Sequence, residues 1–376
     1  MTGQPDPAGC YVHVPFCARV CPYCDFAVVA GRDELIDRYF EALLAEITME
    51  PEAGPLGSVF VGGGTPSRVR PDLLTAVVAG LRDRFGLVDG AEVTLEANPE
   101  DWSPERAAQL ARGGFSRVSF GAQSFDDGVL AELGRLHRAV ELERLVDDSR
   151  AAGFASVSLD LIFGSWSESP ESWHATVERA IAAGPDHVST YALTVERGTE
   201  LSRQVAAGAP GPDADDQADK YTVAVELLTG AGYVHYEVSN FARPGHECEY
   251  NRNTWAQGDY LAFGLGAHGH RKGVRRRNVR RIDAYLEVIE SGQRPEAGTE
   301  HITGWDAELE RAFLGIRRAE GVEAPEVAAA LADDFEAEGL LAARKFEIQN
   351  GVIRMLDPLF TDAVARVVLG LAAPGE

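Results

Sequence analysis

"YVHVPFCARVCPYCDF", residues 11–26, runs a short apolar and β-branched segment straight into a loop that carries Cys17, Cys21 and Cys24. The segment Tyr11–Val14 reads as a buried strand. The loop then gathers three of the five cysteines of the chain, at gaps of three and two residues, with no fourth beside them. Three thiolates on one loop have two chemical uses. They can ligate three corners of an iron–sulfur cluster and leave one iron open, or supply three ligands of a tetrahedral zinc. Zinc would need a fourth donor, for which Cys10, His13 and Cys248 are the candidates.

Outward from this loop, strand and helix signals alternate. Runs rich in β-branched and apolar residues recur at 58–61, 92–96, 117–120, 156–162 and 187–195, making six strands with the first. Residues 33–50, 71–85, 104–113 and 170–184 place apolar side chains at helical spacing. Such alternation builds a parallel sheet through right-handed crossovers. The expected fold is therefore α/β, an incomplete parallel (β/α)6 TIM-like barrel rather than a closed eight-stranded one. A Pro/Gly/Asp loop at 208–216 precedes a further helix at 217–231. Beyond residue 300 helices are expected near 305–318, 323–331 and 333–342, followed by two short strands around Asn350-Gly351, a two-residue hairpin turn. The expected division is a partial barrel over 1–235, a polar and basic connecting segment over 236–300 at the barrel mouth, and a small winged-helix-like α+β domain over 301–376.

The chain has 376 residues, 45% of them apolar, enough for a large buried core. Its 35 Lys and Arg against 59 Asp and Glu leave a net charge of −24, which argues against general attraction to nucleic acid or to an anionic membrane. The winged-helix-like region is itself acidic, with 14 acidic residues against 7 basic ones from 305 to 376, so a structural or lid role is expected there and nucleic acid is not an expected partner. No segment holds the roughly 18 consecutive apolar residues of a transmembrane span. The first thirty residues lack a secretory pattern, and the few, odd-numbered cysteines fit a reducing compartment, so a cytoplasmic protein is expected.

In a parallel barrel the loops leaving the carboxyl ends of the strands converge on one mouth. Here the first strand leads to the cysteines, the second to Gly62–Gly64 and Thr65, the third to Glu96 and the fourth to Gln123, while Asp160 and Tyr191 lie in the fifth and sixth. The glycines let the backbone approach a ligand closely and expose N–H groups to an anion. Carboxylates at the ends of inner strands are costly unless paired or used, so Glu96 and Asp160 read as functional.

With these residues in place, the chain resembles the radical S-adenosylmethionine (SAM) superfamily through its CxxxCxxC loop. The segments "FVGGGTPS" (60–67), "EANPE" (96–100), "RVSFGAQSF" (117–125), "LGRLH" (133–137), "LDLIFG" (159–164), "HVSTYALTVERGT" (187–199), "YEVSNFARPG" (236–245) and "GLGAHGH" (264–270) resemble the branch related to oxygen-independent coproporphyrinogen III oxidase, most closely the HemW-type haem chaperones. The resemblance implies a 4Fe-4S cluster on Cys17, Cys21 and Cys24, with the amino and carboxylate groups of SAM on the open iron. It implies that Tyr11, Tyr23, Gly63, Gly64, Thr65, Glu96, Gln123, Arg135 and Asp160 line the SAM site. It implies an electron donor to the cluster, the cofactor supplying the difficult radical chemistry while the protein orients it. The expected function is a haem chaperone that binds cluster, SAM and haem and passes haem to an acceptor protein. The alternative is a radical SAM enzyme acting on a porphyrin or another small molecule.

Two departures from the family pattern matter. The oxidase branch carries a further cysteine two places beyond the third and a longer amino-terminal extension. Here Asp25-Phe26 follows Cys24 and sixteen residues precede Cys17, so coproporphyrinogen oxidation is not expected. The haem-linked motif of the chaperone branch, His-Asn-x-x-Tyr-Trp, stands here as Tyr250-Asn251-Arg252-Asn253-Thr254-Trp255. Tyr250, His268 and His270 become the candidate haem ligands. Residues 270–281, "HRKGVRRRNVRR", pack seven Lys and Arg into twelve positions, a cluster suited to haem propionates or an acidic partner, or else a solvated face balancing nearby acids.

Overall fold

The six apolar runs form six parallel strands paired in chain order: Ala8–Val14 (β1), Leu56–Gly63 (β2), Leu87–Ala97 (β3), Arg117–Gln123 (β4), Ser156–Phe163 (β5) and His187–Ala192 (β6). This computed structural model describes residues 7–51 and 53–373, so the outer limits of the expected division, residues 1 and 376, lie outside the described residues. In the later strands, such as Arg117–Gln123 and His187–Ala192, apolar residues that pack on the helices alternate with polar ones that face the barrel interior. Cys10, Val12 and Val14 of β1 are fully buried in one core with residues of the surrounding helices.

Helix boundaries follow local chemistry. Pro71, Pro104 and Pro170 each open a helix, where a missing N–H costs nothing, and the Ser103 and Ser169 hydroxyls accept from Arg106 and Ser172 as caps. The helix expected at 217–231 starts earlier, at Ala214, because Asp213 caps it by accepting two backbone N–H groups. The sixth strand ends at Ala192, short of the expected 195.

The sheet continues past both ends of the parallel set. Val234–Glu237 (β7) and Asn240–Ala242 (β8) extend it antiparallel beside β6. On the other side Tyr260–Phe263 (β9) runs parallel to β1, followed by antiparallel His268–Arg271 (β10), Val274–Asn278 (β11) and Glu296–His301 (β12). Most of the polar segment 236–300 thus forms sheet or helix, in strands of three to six residues too short and too polar for periodicity to reveal. One buried carboxylate fastens this flank to the barrel. Glu46, on the helix Ile36–Met49, accepts from Gly264 N–H at 2.8 Å, the Tyr285 hydroxyl at 2.7 Å and Asn278 Nδ2 at 2.6 Å. Burial pushes this carboxyl up to about 7, and the three donors work against that rise.

The barrel interior below the mouth is polar. Glu92 faces Arg117 at 3.9 Å, and His187 bonds Ser158 at 2.8 Å and the Tyr236 hydroxyl at 2.9 Å. The helix Glu249–Trp255 closes the amino-terminal end, its first N–H donating to Glu92 at 3.2 Å.

The carboxyl-terminal region has its own core, built from residues such as Leu309, Val327, Phe346, Ile353 and Val364. Helices Gly304–Gly315, Pro325–Ala332 and Phe335–Ala342 precede a hairpin of Phe346–Gln349 (β14) and Val352–Met355 (β15), with Val322–Glu323 (β13) as the third strand, a winged-helix-like arrangement. Asn350 and Gly351 have φ of 53° and 79°, the left-handed pair that a type I′ turn requires. Among the described residues no helix is long and apolar enough to cross a membrane.

Replacing Glu46 by alanine strands the buried Gly264 N–H and Tyr285 hydroxyl and leaves Asn278 only the Gly264 carbonyl at 2.9 Å. The expected loss is about 3 kcal/mol or more of unfolding free energy in anaerobic urea titration; a loss below about 1 kcal/mol would show that water satisfies them instead.

Candidate functional site

The cysteine loop is built against the end of β2. Gly64 N–H donates to Val14 at 2.8 Å and Thr65 N–H to Phe16 at 2.9 Å. Gly63 has a φ of 114°, and a Cβ on Gly64 would stand 2.6 Å from the Pro15 carbonyl group, so two glycines are required for this approach. The Thr65 hydroxyl then reaches Cys17 Sγ at 3.6 Å. Cys17 is buried, whereas Cys21 and Cys24 are partly exposed, and Cys24 N–H closes a turn on the Cys21 carbonyl at 3.1 Å.

All three thiols open on a cavity of about 390 Å³ at the carboxyl ends of the parallel strands. Of the sequence-predicted site residues, Tyr23, Gly63, Gly64, Thr65, Glu96, Gln123, Arg135 and Asp160 line it with them, as does Tyr191. Tyr11 does not. It shares the inner face of β1 with His13, which stands one pair nearer the mouth, and its hydroxyl bonds His13 Nδ1 at 3.0 Å while its ring packs on Phe60 and Tyr250. Asn98 and Glu100 also line the cavity, a pair that sequence reasoning passed over although "EANPE" places them two and four positions beyond Glu96.

Arg135 organises this wall. Its guanidinium donates to Asn98 Oδ1, to the Gly121 carbonyl at 3.1 Å and toward Cys21 Sγ at 3.8 Å. Asn98 in turn donates to the Thr65 hydroxyl at 3.3 Å, so the residues around Cys17 and Cys21 form one chain. Gln123 has a φ of 61°, a strained conformation for a residue with a side chain, placed where β4 turns into the cavity.

Burial governs the electrostatics. It pushes the Cys17 thiol up to about 11, with the Thr65 hydroxyl opposing. Glu96 is raised to about 7 by burial, against the Gly63 N–H that donates to it at 2.8 Å, and nearby Asp160 adds to the rise. Burial also raises Asp160, opposed by hydroxyl donors on Ser189 at 2.7 Å and Ser119 at 2.9 Å. A cationic ligand would restore both carboxylates. Arg135 Nε, buried, has no hydrogen-bond partner among the described residues, and Glu100 Oε2 stands 3.4 Å from His137 Nδ1.

These residues fit a cluster with an open iron better than a zinc. The proposed fourth donors lie elsewhere: Cys10 is buried in the apolar core, Cys248 bonds Glu92 at 3.5 Å near the closed end, and His13 has both ring nitrogens engaged, by Tyr11 and by the Ala27 carbonyl at 2.8 Å. Among the described residues no three His, Cys, Asp or Glu side chains are grouped to hold a single metal ion, whereas a cube gives each thiolate its own iron.

Tyr250 is far from this mouth. Its ring packs against Phe60, Tyr11 and Tyr260 at the closed end, Thr254 bonds its own helix, and Asn253 donates to the Asp259 carbonyl at 3.0 Å. The basic run divides. Arg275 pairs with Glu300 and Glu310, and Arg276 stands near Glu296 and Glu50, as a face balancing nearby acids would.

A family model described as the radical SAM superfamily matches residues 11–180, the stretch that holds the cysteine loop and most of the first five parallel strands. That superfamily implies a 4Fe-4S cluster and SAM. The haem chaperone HemW of Mycobacterium tuberculosis is 38% identical over 382 residues, covering 98% of this chain and 96% of its own length. HemW of Escherichia coli is 36% identical over 267 residues, 70% of each chain. The chain belongs to the HemW family. The solved structure of coproporphyrinogen III oxidase (HemN) from Escherichia coli, 22% identical, shares the fold at a TM-score of 0.83 over 97% of this chain and 91% of that one.

Gly64→Ala tests the close approach that shapes the loop. The added methyl should displace Pro15 and Phe16, and iron and sulfide content after anaerobic reconstitution should fall to about half or less with stability lowered by about 1–3 kcal/mol.

Proposed function

We propose that this protein is a radical SAM haem chaperone of the cytoplasm. Cys17, Cys21 and Cys24 hold three irons of a 4Fe-4S cluster, and the amino and carboxylate groups of SAM take the fourth. The observation that carries the reading is the convergence of the three thiols with Thr65, Glu96, Gln123, Arg135 and Asp160 on one cavity. Gly63 and Gly64 bring the backbone close beside it, and Tyr23 packs by the loop.

The roles follow from what each side chain offers. Arg135 and the Thr65 hydroxyl direct hydrogen-bond donors toward two of the sulfurs, which favours thiolate over thiol. Glu96 and Asp160 present buried carboxylates to a ligand with a permanent sulfonium charge. When bound and reduced, the cluster supplies an electron to that sulfonium.

Haem is the cargo, passed to an acceptor protein, with a separate donor reducing the cluster. Support comes from the identity with HemW chaperones along nearly the whole chain, and from Phe26, which stands where the oxidase branch carries its further cysteine.

Anaerobic reconstitution tests the cluster. The unaltered protein should hold about four irons and four sulfides, and the variant with Cys17, Cys21 and Cys24 changed to serine essentially none; equal iron in both would refute the assignment. SAM binding supplies a pH test. Glu96 is protonated well below pH 7 and ionised above it. Affinity for the sulfonium should therefore rise by about fivefold or more between pH 6 and pH 7.5 in calorimetric titration, and Glu96→Gln should flatten that dependence.

A further inference from the structure

The barrel is open on one flank, and sheet register carries its inner face outward there. Gly9 and Tyr11 of β1 pair with Tyr260 and Ala262 of β9, Tyr260 pairs with His270 of β10, and His270 and His268 pair with Arg275 and Arg277 of β11. Residues directly opposite in a sheet point to the same side. His268 and Arg277 therefore continue the face that bears Tyr11 and His13, at the end of the strands nearest the cysteine loop. Contacts confirm that nearness: the Arg280 guanidinium donates to the Asp25 carbonyl, and a Cβ on Gly266 would stand 2.9 Å from that of Ala27. Between Asp25 and Ala27, Phe26 is 65% exposed and borders the cluster cavity.

His268 differs from the other histidines. Of the nine, His13, His137, His174, His187, His235 and His270 have ring nitrogens engaged by protein groups. His246 precedes the helix at the closed end, and His301 ends β12 opposite Val274, at the end of the strand pair away from the cysteine loop. The exposed ring of His268 has no hydrogen-bond partner among the described residues. Partial burial and then the guanidiniums of Arg277, Arg275 and Arg280 hold it below its ordinary range, so it stays a neutral imidazole, the form that ligates iron. Arg277 has no carboxylate partner among the described residues, and Arg280 has only a carbonyl, in a chain with 59 acidic residues.

We propose that haem binds on this flank, with His268 on the iron, Arg277 and Arg280 on the propionates and Phe26 against the ring. The proposal rests on the haem-carrying reading above and moves the ligand away from the 250–255 helix. An imidazole and two guanidiniums suit an iron porphyrin dicarboxylate, and Phe26 offers it an apolar surface.

The test is titration of the reconstituted full-length protein with ferric haem, followed by difference spectra and electron paramagnetic resonance. His268→Ala should weaken binding by about tenfold or more and abolish the histidine-ligated signature, and added imidazole should restore it. The double change Arg277→Ala and Arg280→Ala should weaken binding severalfold and leave that signature in place. Tyr250→Phe should bind as the unaltered protein does. Iron content and far-ultraviolet circular dichroism establish that each variant is folded. Retention of both affinity and signature in His268→Ala overturns the site while leaving the haem reading standing, and so does loss of the signature in Tyr250→Phe. If the unaltered protein takes up no haem, the haem reading falls and the site with it.

Discussion

Two backbone hydrogen bonds, from Gly64 to Val14 and from Thr65 to Phe16, tie the end of β2 to the residues that lead into the cysteine loop. They can form only because neither residue 63 nor residue 64 carries a side chain where the two backbones meet. Everything at the mouth is referenced to that joint. It sets Thr65 beneath Cys17, Thr65 receives Asn98, and Asn98 receives Arg135, which reaches Cys21. The loop has no regular structure beyond short pieces, and the joint adds its main-chain bonds to those that Leu201 makes with Pro22 and Arg19 with Gly134. The protein therefore preorganises the thiols through main-chain geometry, and the polar wall follows.

An incomplete barrel has a problem that a closed one lacks, because its terminal strands would leave unpaired backbone beside the mouth. The chain answers with four added strands beside β1 and two beside β6. The added flank is polar, and it is fastened by buried carboxylates: Glu46 collects donors from Gly264, Asn278 and Tyr285, while Glu50 pairs with Arg294. Acidic residues on the helix Ile36–Met49 and at its end thus balance part of the basic run. Arg277 and Arg280, on the mouth side, pair with no carboxylate among the described residues.

The parallel set was legible because each strand carries apolar and β-branched residues, in a short run or at alternate positions, with a turn after it. The mouth was legible for the same reason: a parallel barrel assigns position to any polar residue that follows a strand, so Glu96, Gln123 and Asp160 could be placed from their position in the sequence alone. Tyr11 was not, because its place depends on which of two inward residues, Tyr11 or His13, stands nearer the mouth. Asn98 and Glu100 were hidden in a loop whose path only the folded chain reveals. The strands of 234–301 were illegible in another way. A strand such as His268–Arg271 carries no apolar residue, and it pairs because its neighbours position it, so no propensity or period marks it.

The helix 249–255 bears on how a carrier can keep and release its cargo. Tyr250 fills a space bounded by Gly9, Phe60, Tyr11 and Tyr260, and a ring so enclosed could reach iron only if the closed end of the barrel opened. A ligand on the exposed flank needs no such opening. Haem held there by one imidazole and two surface guanidiniums would keep one face of its iron and much of its edge in solvent, within reach of an approaching acceptor. Exchange could then proceed by ligand substitution at that open face, with the barrel rigid throughout. Deep burial would slow dissociation and suit an enzyme that retains its group, whereas delivery on demand requires a bond strong enough to select haem and a surface open enough to surrender it.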